Sequence, residues 1–328
     1  MLCLKWAGSR YPGTGAFYSI FYPVFGRTTA TLLVSLYFIS TIFGLATIAA
    51  GLGQYFLYLH LPHFFFLELG VILLFCLINI RGIQLSGLTE NILTVLKIVP
   101  LFIIAVALLP LISLSNILPF SPLNPPDFLR TILLVYWPFT GFEISAIPAD
   151  EVRDRDLIGR SLTIVMCIVI ALYLCLNLSL LGALGSEVLA NSPAPIATAV
   201  EYFIPSAGVF VALIGIIAMI SALNAYLVGG SRVLQNLAYQ NQLPSIRNLS
   251  RKGTPVPAIL ICSFLTAGLL LLTNRFAELA ILSVITTLIP YLFISGATVT
   301  LFSRWRIRFI AVLSMLMTAG ILVLSVMR

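Results

Sequence analysis

Charge is what this chain is short of. Only 9% of its 328 residues are Asp, Glu, Lys or Arg, while 60% are hydrophobic. A soluble domain needs about 25% charged residues to cover its surface, so the composition excludes that class and points to a helical membrane protein. Short alternating segments are lacking too, which excludes a membrane β-barrel. Histidine is nearly absent: His60 and His63 share one short stretch. No zinc motif, Ser/His/Asp set or pair of buried carboxylates can be assembled from this inventory, so the chain is not read as an enzyme and no metal or cofactor is expected. There are five cysteines and no CxxC pair. Four of them (Cys76, Cys167, Cys175, Cys262) lie in apolar runs, where cysteine is expected to act as a small buried hydrophobe. The segment MLCLKWAGSR has no apolar core ahead of its charges and is not a signal peptide. The net charge of +7 could suggest a nucleic-acid partner, but the bases form no stripe. They collect at the ends of apolar runs, as membrane topology requires.

Those runs give an expectation of nine spans, at 30–57, 64–80, 92–113, 130–149, 160–183, 207–229, 256–273, 278–303 and 309–326. Each is near or above the ~20 residues that cross a bilayer. With the N-terminus inside, nearly all Lys and Arg fall on the inner side, and only Arg130, Arg275 and Arg328 fall outside. Residues 1–28 are interrupted by Pro12, Gly13, Gly15, Pro23 and Gly26 and are expected to form an inner or interfacial segment rather than a span. Gly44, Gly51 and Gly53 are expected to let neighbouring helices approach closely. Glu68 is expected to snorkel at the outer interface. Ser283, Thr286 and Thr287 either bond back to their own helix or face a cavity.

The stretch Trp137–Asp156, WPFTGFEISAIPADEVRDRD, holds what chemistry there is. Pro138 and Gly141 interrupt a membrane helix beside a lone carboxylate, Glu143. A helix broken at membrane depth frees carbonyls that can accept from an ammonium group, and Trp137 and Phe139 could cover a bound side chain with their ring faces. A charged Glu143 at bilayer depth would cost about 2.5–3.5 kcal/mol, which makes it a candidate for coupling protons to movement. The competing reading is a neutral structural Glu bonded to a neighbouring helix. The acidic end of the stretch (Asp150, Glu151, Asp154, Asp156) could hold magnesium diphosphate, as in a membrane prenyltransferase, but that chemistry needs a second Asp-rich cluster, and the chain has none.

Several blocks resemble the amino acid–polyamine–organocation (APC) transporters, most closely their arginine/agmatine antiporter-like bacterial branch. They are YWPFTGFEISAIPADEVRD, SRVLQNLAYQNQLPSIRNLSRKGTPVPA, NIRGIQLSGLTENILTVLKIVPL, SVITTLIPYLFISGA and PGTGAFYSIFYPVFG, in the family's order. The resemblance implies an all-α membrane fold in which the nine spans correspond to helices 3–11 of an inverted-repeat architecture. Residues 1–328 would form one transporter domain: 1–29 the remnant of a second helix and an inner loop, 30–113 the rest of the first repeat, 130–303 the second repeat and 309–326 an extra helix. It implies a secondary carrier, antiporter or proton-coupled, moving an amino acid or its amine by alternating access in the bacterial inner membrane, N-terminus cytoplasmic. Partners would be that substrate, the lipid bilayer and a second copy in a homodimer paired through the last helices, with no nucleic acid. Residue by residue, the resemblance makes Trp137, Pro138, Phe139 and Gly141 substrate contacts, Trp137 and Tyr226 gates, and Glu143 a pH-responsive group. Leu45 and Ile281 stand where the arginine carrier has polar contacts, which leaves a neutral amino acid or another amine equally open. The family's first helix, most of its second and its twelfth have no counterpart, so a truncated, non-transporting remnant is the rival expectation.

Overall fold

The computed structural model describes residues 2–11, 17–62, 64–82, 87–118, 125–143 and 155–326. They form α1 (Leu2–Arg10), α2 (Phe17–Tyr58), α3 (Phe64–Ile80), α4 (Gly87–Leu108), α5 (Pro125–Tyr136), α6 (Arg155–Leu184), α7 (Ser186–Ala190), α8 (Pro195–Phe203), α9 (Gly208–Gln240), α10 (Pro244–Arg247), α11 (Val256–Leu272), α12 (Phe276–Leu301) and α13 (Trp305–Val326), with no strand among the described residues. Six of these helices are long and apolar enough to cross a membrane, and α3 and α11 are shorter apolar helices. Every expected span falls on a helix; in the one at 130–149 the described residues, which end at Glu143, form part of α5 and a following 3-10 turn, Trp137–Phe139.

The centre is α2, which packs against α12, α9, α11 and α3. Its glycines explain how. A Cβ on Gly44 would stand 2.8 Å from the Tyr226 ring of α9, and one on Gly51 would stand 3.4 Å from the Phe276 ring of α12. Without Cβ atoms the helices close to packing distance, the main source of helix association in lipid, where no hydrophobic force acts between them. The inner polar contacts are few and specific. Asn79 Nδ2 of α3 donates to Asn224 Oδ1 of α9 at 2.9 Å, and Ser283 Oγ of α12 donates to the Ser40 carbonyl of α2 at 3.1 Å. Each such bond contributes about 0.6 kcal/mol on average in a membrane protein. Thr286 and Thr287 bond back to Leu282 and Ser283 carbonyls, so of the two readings for this hydroxyl group the backbone one holds for the threonines. On the periphery, α4 and α6 share a cluster of Ala105, Leu108, Leu176, Leu180 and Leu184, and α13 lies against α12 with most of its surface outward.

Three expectations need correction. The described part of the lead-in at 1–28 does not lie wholly at an interface: Cys3, Leu4, Ala7, Phe17 and Phe21 are buried in the main core, and Thr298 Oγ1 donates to the Cys3 carbonyl, while Tyr22, Pro23 and Gly26 are exposed. Pro23 is accommodated within α2, and of the two interruptions expected there the break comes at Gly26 (φ 79°), a left-handed conformation open to glycine at no steric cost. Glu68 does not snorkel. It is fully buried, held by Asn274 from the α11–α12 link, and crowds so close to Gly53 that a Cβ there would stand 1.6 Å from its Oε1. Cys76 and Cys262 are buried as expected, but Cys167 is exposed on the outer face of α6. The acidic residues Asp150, Glu151 and Asp154, and His63, lie outside the described residues.

Candidate functional site

Pro138 brings no N–H, so the Leu134 carbonyl four residues earlier has no α-helical donor, and α5 tightens into the 3-10 turn Trp137–Phe139. Thr140 closes the turn: its N–H and its Oγ1 both donate to the Trp137 carbonyl, at 3.0 and 2.7 Å. Gly141 then takes φ 88°. This is the break foreseen between Pro138 and Gly141.

Tyr226 of α9 fills the corner the break creates. Its ring lies against Gly44 on one side and its hydroxyl end against Gly141 on the other, where a Cβ would stand 1.9 Å from Oη. Trp137 is half-buried and meets Phe276 edge-on, centroids 5.3 Å apart at 79°. Its Nε1 is buried, and nothing among the described residues accepts from it. A buried indole N–H without an acceptor costs about 1–3 kcal/mol, and among the described residues it is the buried side-chain polar atom of the corner that is left unsatisfied. Pro138 is exposed, and Phe139 turns away to stack edge-on with Tyr173 of α6 at 5.5 Å.

Glu143 is 2% exposed. Its Oε1 accepts from Tyr37 Oη of α2 at 3.0 Å, and its Oε2 accepts from Tyr291 Oη of α12 at 2.5 Å and from the Gly141 N–H at 3.1 Å. One carboxyl thereby ties the broken segment to both helices of the core. Every donor here is neutral, and the tyrosine hydroxyls can reverse direction and accept, so the network is satisfiable whether or not Glu143 carries a proton. Sequence reasoning missed Tyr37 and Tyr291. The only available signal was a phenol inside each of the apolar runs SLYFIS and IPYLF, and that is an ordinary composition for a membrane helix.

A cavity of about 280 Å³ lies apart from this corner, lined by Arg232, Gln235, Asn236 and Tyr239 of α9 with Leu249, Gly253 and Pro255.

A family model described as "Amino acid permease" matches residues 1–327. The chain belongs to the amino acid permease family. Its members are membrane transporters rather than enzymes. Among relatives, the inner membrane transport protein YbaT of Escherichia coli is 26% identical over 299 residues, covering 87% of this chain and 68% of the relative. The serine/threonine exchanger SteT of Bacillus subtilis is 27% identical over 258 residues, covering 74% and 57%. The gamma-aminobutyric acid permease of B. subtilis is 30% identical over 151 residues, covering 44% and 32%. The matches thus cover from 32% to 68% of the length of these relatives. As a permease it is a multi-pass membrane protein, and its helices are those of the family's all-α fold.

Proposed function

We propose that this permease chain carries out secondary transport of a small neutral amino acid by alternating access, with the substrate lodged at the break between Trp137 and Gly141. The observation that carries this reading is the buried, unpartnered Trp137 Nε1 at the end of a broken helix, a donor placed for an acceptor oxygen of the substrate. Trp137 and Tyr226 gate: the first packs on Phe276 and against Leu133, Val284 and Leu288, and the second is wedged between Gly44 and Gly141, so a shift of α9 or α12 opens or closes the corner. Glu143 couples the site to pH through Tyr37 and Tyr291. A neutral substrate is favoured over arginine or its amine because the only buried carboxylates among the described residues are Glu68 and Glu143, and both already hold protein donors. Leu45 and Ile281, apolar at the places where the arginine carrier is polar, support the same choice, and the exchanger SteT is named for serine and threonine. In this reading 30–113 is the rest of the first inverted repeat and 130–303 the second, the N-terminus faces the cytoplasm of a bacterial inner membrane, and copies pair through α13.

Flux of radiolabelled serine, threonine, alanine and arginine into liposomes tests it, under exchange conditions and under an imposed proton gradient. Wild type should move a neutral amino acid, and Trp137→Ala should abolish the flux while Glu143→Ala should flatten its pH dependence. Absence of amino-acid or amine flux under every gradient would overturn the reading, as would arginine as the sole substrate for its neutral-substrate part.

A further inference from the structure

Glu68 is a second fully buried carboxyl, and the transport reading above gives it no role. Asn274 Nδ2 donates to both of its oxygens, at 3.2 and 3.0 Å. Two bonds from one amide nitrogen suit an ionised carboxylate, which accepts only. The other end of the same amide, Asn274 Oδ1, is buried and has no donor among the described residues. A protonated Glu68 would own an O–H, and a half-turn of the amide would give Oδ1 that donor. The Glu68–Asn274 pair therefore has two arrangements, one for each protonation state.

The pair is joined to the gate. Asn274 stands two residues before Phe276, whose ring packs on Trp137 and lies over Gly51. The intervening turn is stiffened by Arg275 N–H donating to Thr273 Oγ1 at 3.4 Å and by the Arg275–Glu278 ion pair at 2.8 Å. The two glycines of α2 make room for both ends of the link, Gly53 for the Glu68 carboxyl and Gly51 for the Phe276 ring. Among the described residues, the other ionisable groups at this end are engaged elsewhere or exposed: Tyr55 packs on Gly215 and Tyr58 on Gly208, Glu201 accepts from the Ser206 and Gly208 N–H groups, His60 is exposed, and Arg275 and Glu278 are exposed and hold each other. No cation neutralises Glu68 among the described residues.

We propose that Glu68 is a positioning residue for the gate: its carboxylate, through Asn274, sets Phe276 against Trp137, and a proton taken up from the aqueous side poor in Lys and Arg releases that setting. The inference rests on the transport reading for its purpose but not for its test. Glu68→Gln keeps the volume and offers Asn274 one donor and one acceptor, so it holds the protonated arrangement at every pH. Glu68→Ala leaves Asn274 without a partner.

The full chain, with Trp6 and Trp305 replaced by Phe, reports Trp137 emission in detergent between about pH 8.5 and about pH 5. Emission should shift to the red on acidification as Trp137 gains water, and Glu68→Gln should show the acid spectrum throughout. In liposomes Glu68→Gln should lose its dependence on outer pH, and Glu68→Ala should raise KM on the order of tenfold, the scale of one lost charge-assisted hydrogen bond. If wild type carries no amino acid, the transport reading falls and emission alone decides. Emission that ignores pH in wild type, or that shifts alike in wild type and Glu68→Gln, overturns the proposal.

Discussion

Gly141→Ala tests the geometry of the corner directly. The added methyl would meet Tyr226 Oη at 1.9 Å, Cζ at 2.6 Å and Cε2 at 2.9 Å. A tyrosine tip usually yields to such a contact. This one cannot, because its Cε1 edge is already 2.8 Å from the position a Cβ would take on Gly44, which leaves the ring seated against the α2 backbone. The methyl must also sit at φ 88°, where an L residue is strained by about 1–2 kcal/mol. Overpacking a well-filled site costs about 1–3 kcal/mol. Together these give a destabilisation of about 2–5 kcal/mol, or a fall in apparent unfolding midpoint of roughly 3–7 °C for a chain of this size. Thermal unfolding of purified protein in detergent measures it, at one fixed scan rate. The steric share should be recovered in Gly141→Ala/Tyr226→Ala relative to Tyr226→Ala alone, and the backbone share should not. A Gly141→Ala midpoint within about 1 °C of wild type, or a double variant showing no relief, would refute the wedge.

Gly53→Ala should be more damaging than Gly51→Ala, because its Cβ would fall 1.6 Å from Glu68 Oε1 against 3.4 Å from the Phe276 ring; the same unfolding assay should show rescue by Glu68→Ala. Tyr37→Phe and Tyr291→Phe each leave one Glu143 oxygen short of a donor, and each should cost on the order of 1–3 kcal/mol. Their effects should be far from additive with Glu143→Leu, since removal of the carboxyl removes what the phenols serve; a double-mutant cycle reads this. Lys252→Ala, which deletes an exposed bond to the Arg81 carbonyl at the end of α3, should change stability by no more than about 1 kcal/mol.

The helical spans could be read from the sequence because lipid allows little else: an apolar run of span length has to satisfy its own backbone. The break was legible for a related reason, since Pro138 and Gly141 are local instructions. What could not be read was anything decided by distant partners. Glu68 lies near the end of its run, where a carboxylate ordinarily reaches water, and nothing local announces Asn274, which stands 206 residues away. Of the interruptions expected in residues 1–28, Gly26 is one and Pro23 is not, because a proline can be carried inside a helix, whereas Gly26 takes a backbone conformation that the helix cannot. For Glu143, the reading of a residue bonded to neighbouring helices describes the geometry found, and the partners Tyr37 and Tyr291 are what the sequence concealed.

Those partners also set an order of assembly. Tyr37 precedes Glu143 by 106 residues and Tyr291 follows it by 148. At ribosomal speeds the second phenol emerges roughly 7–30 s after the carboxyl it serves. For that interval the nascent chain holds an incompletely bonded acid beside a broken helix, and the corner cannot close until α12 arrives. Biogenesis of this protein therefore has a late, concerted step, and Tyr291→Phe would leave its mark on newly made chains, as prolonged protease sensitivity in a pulse-chase, more than on those already folded.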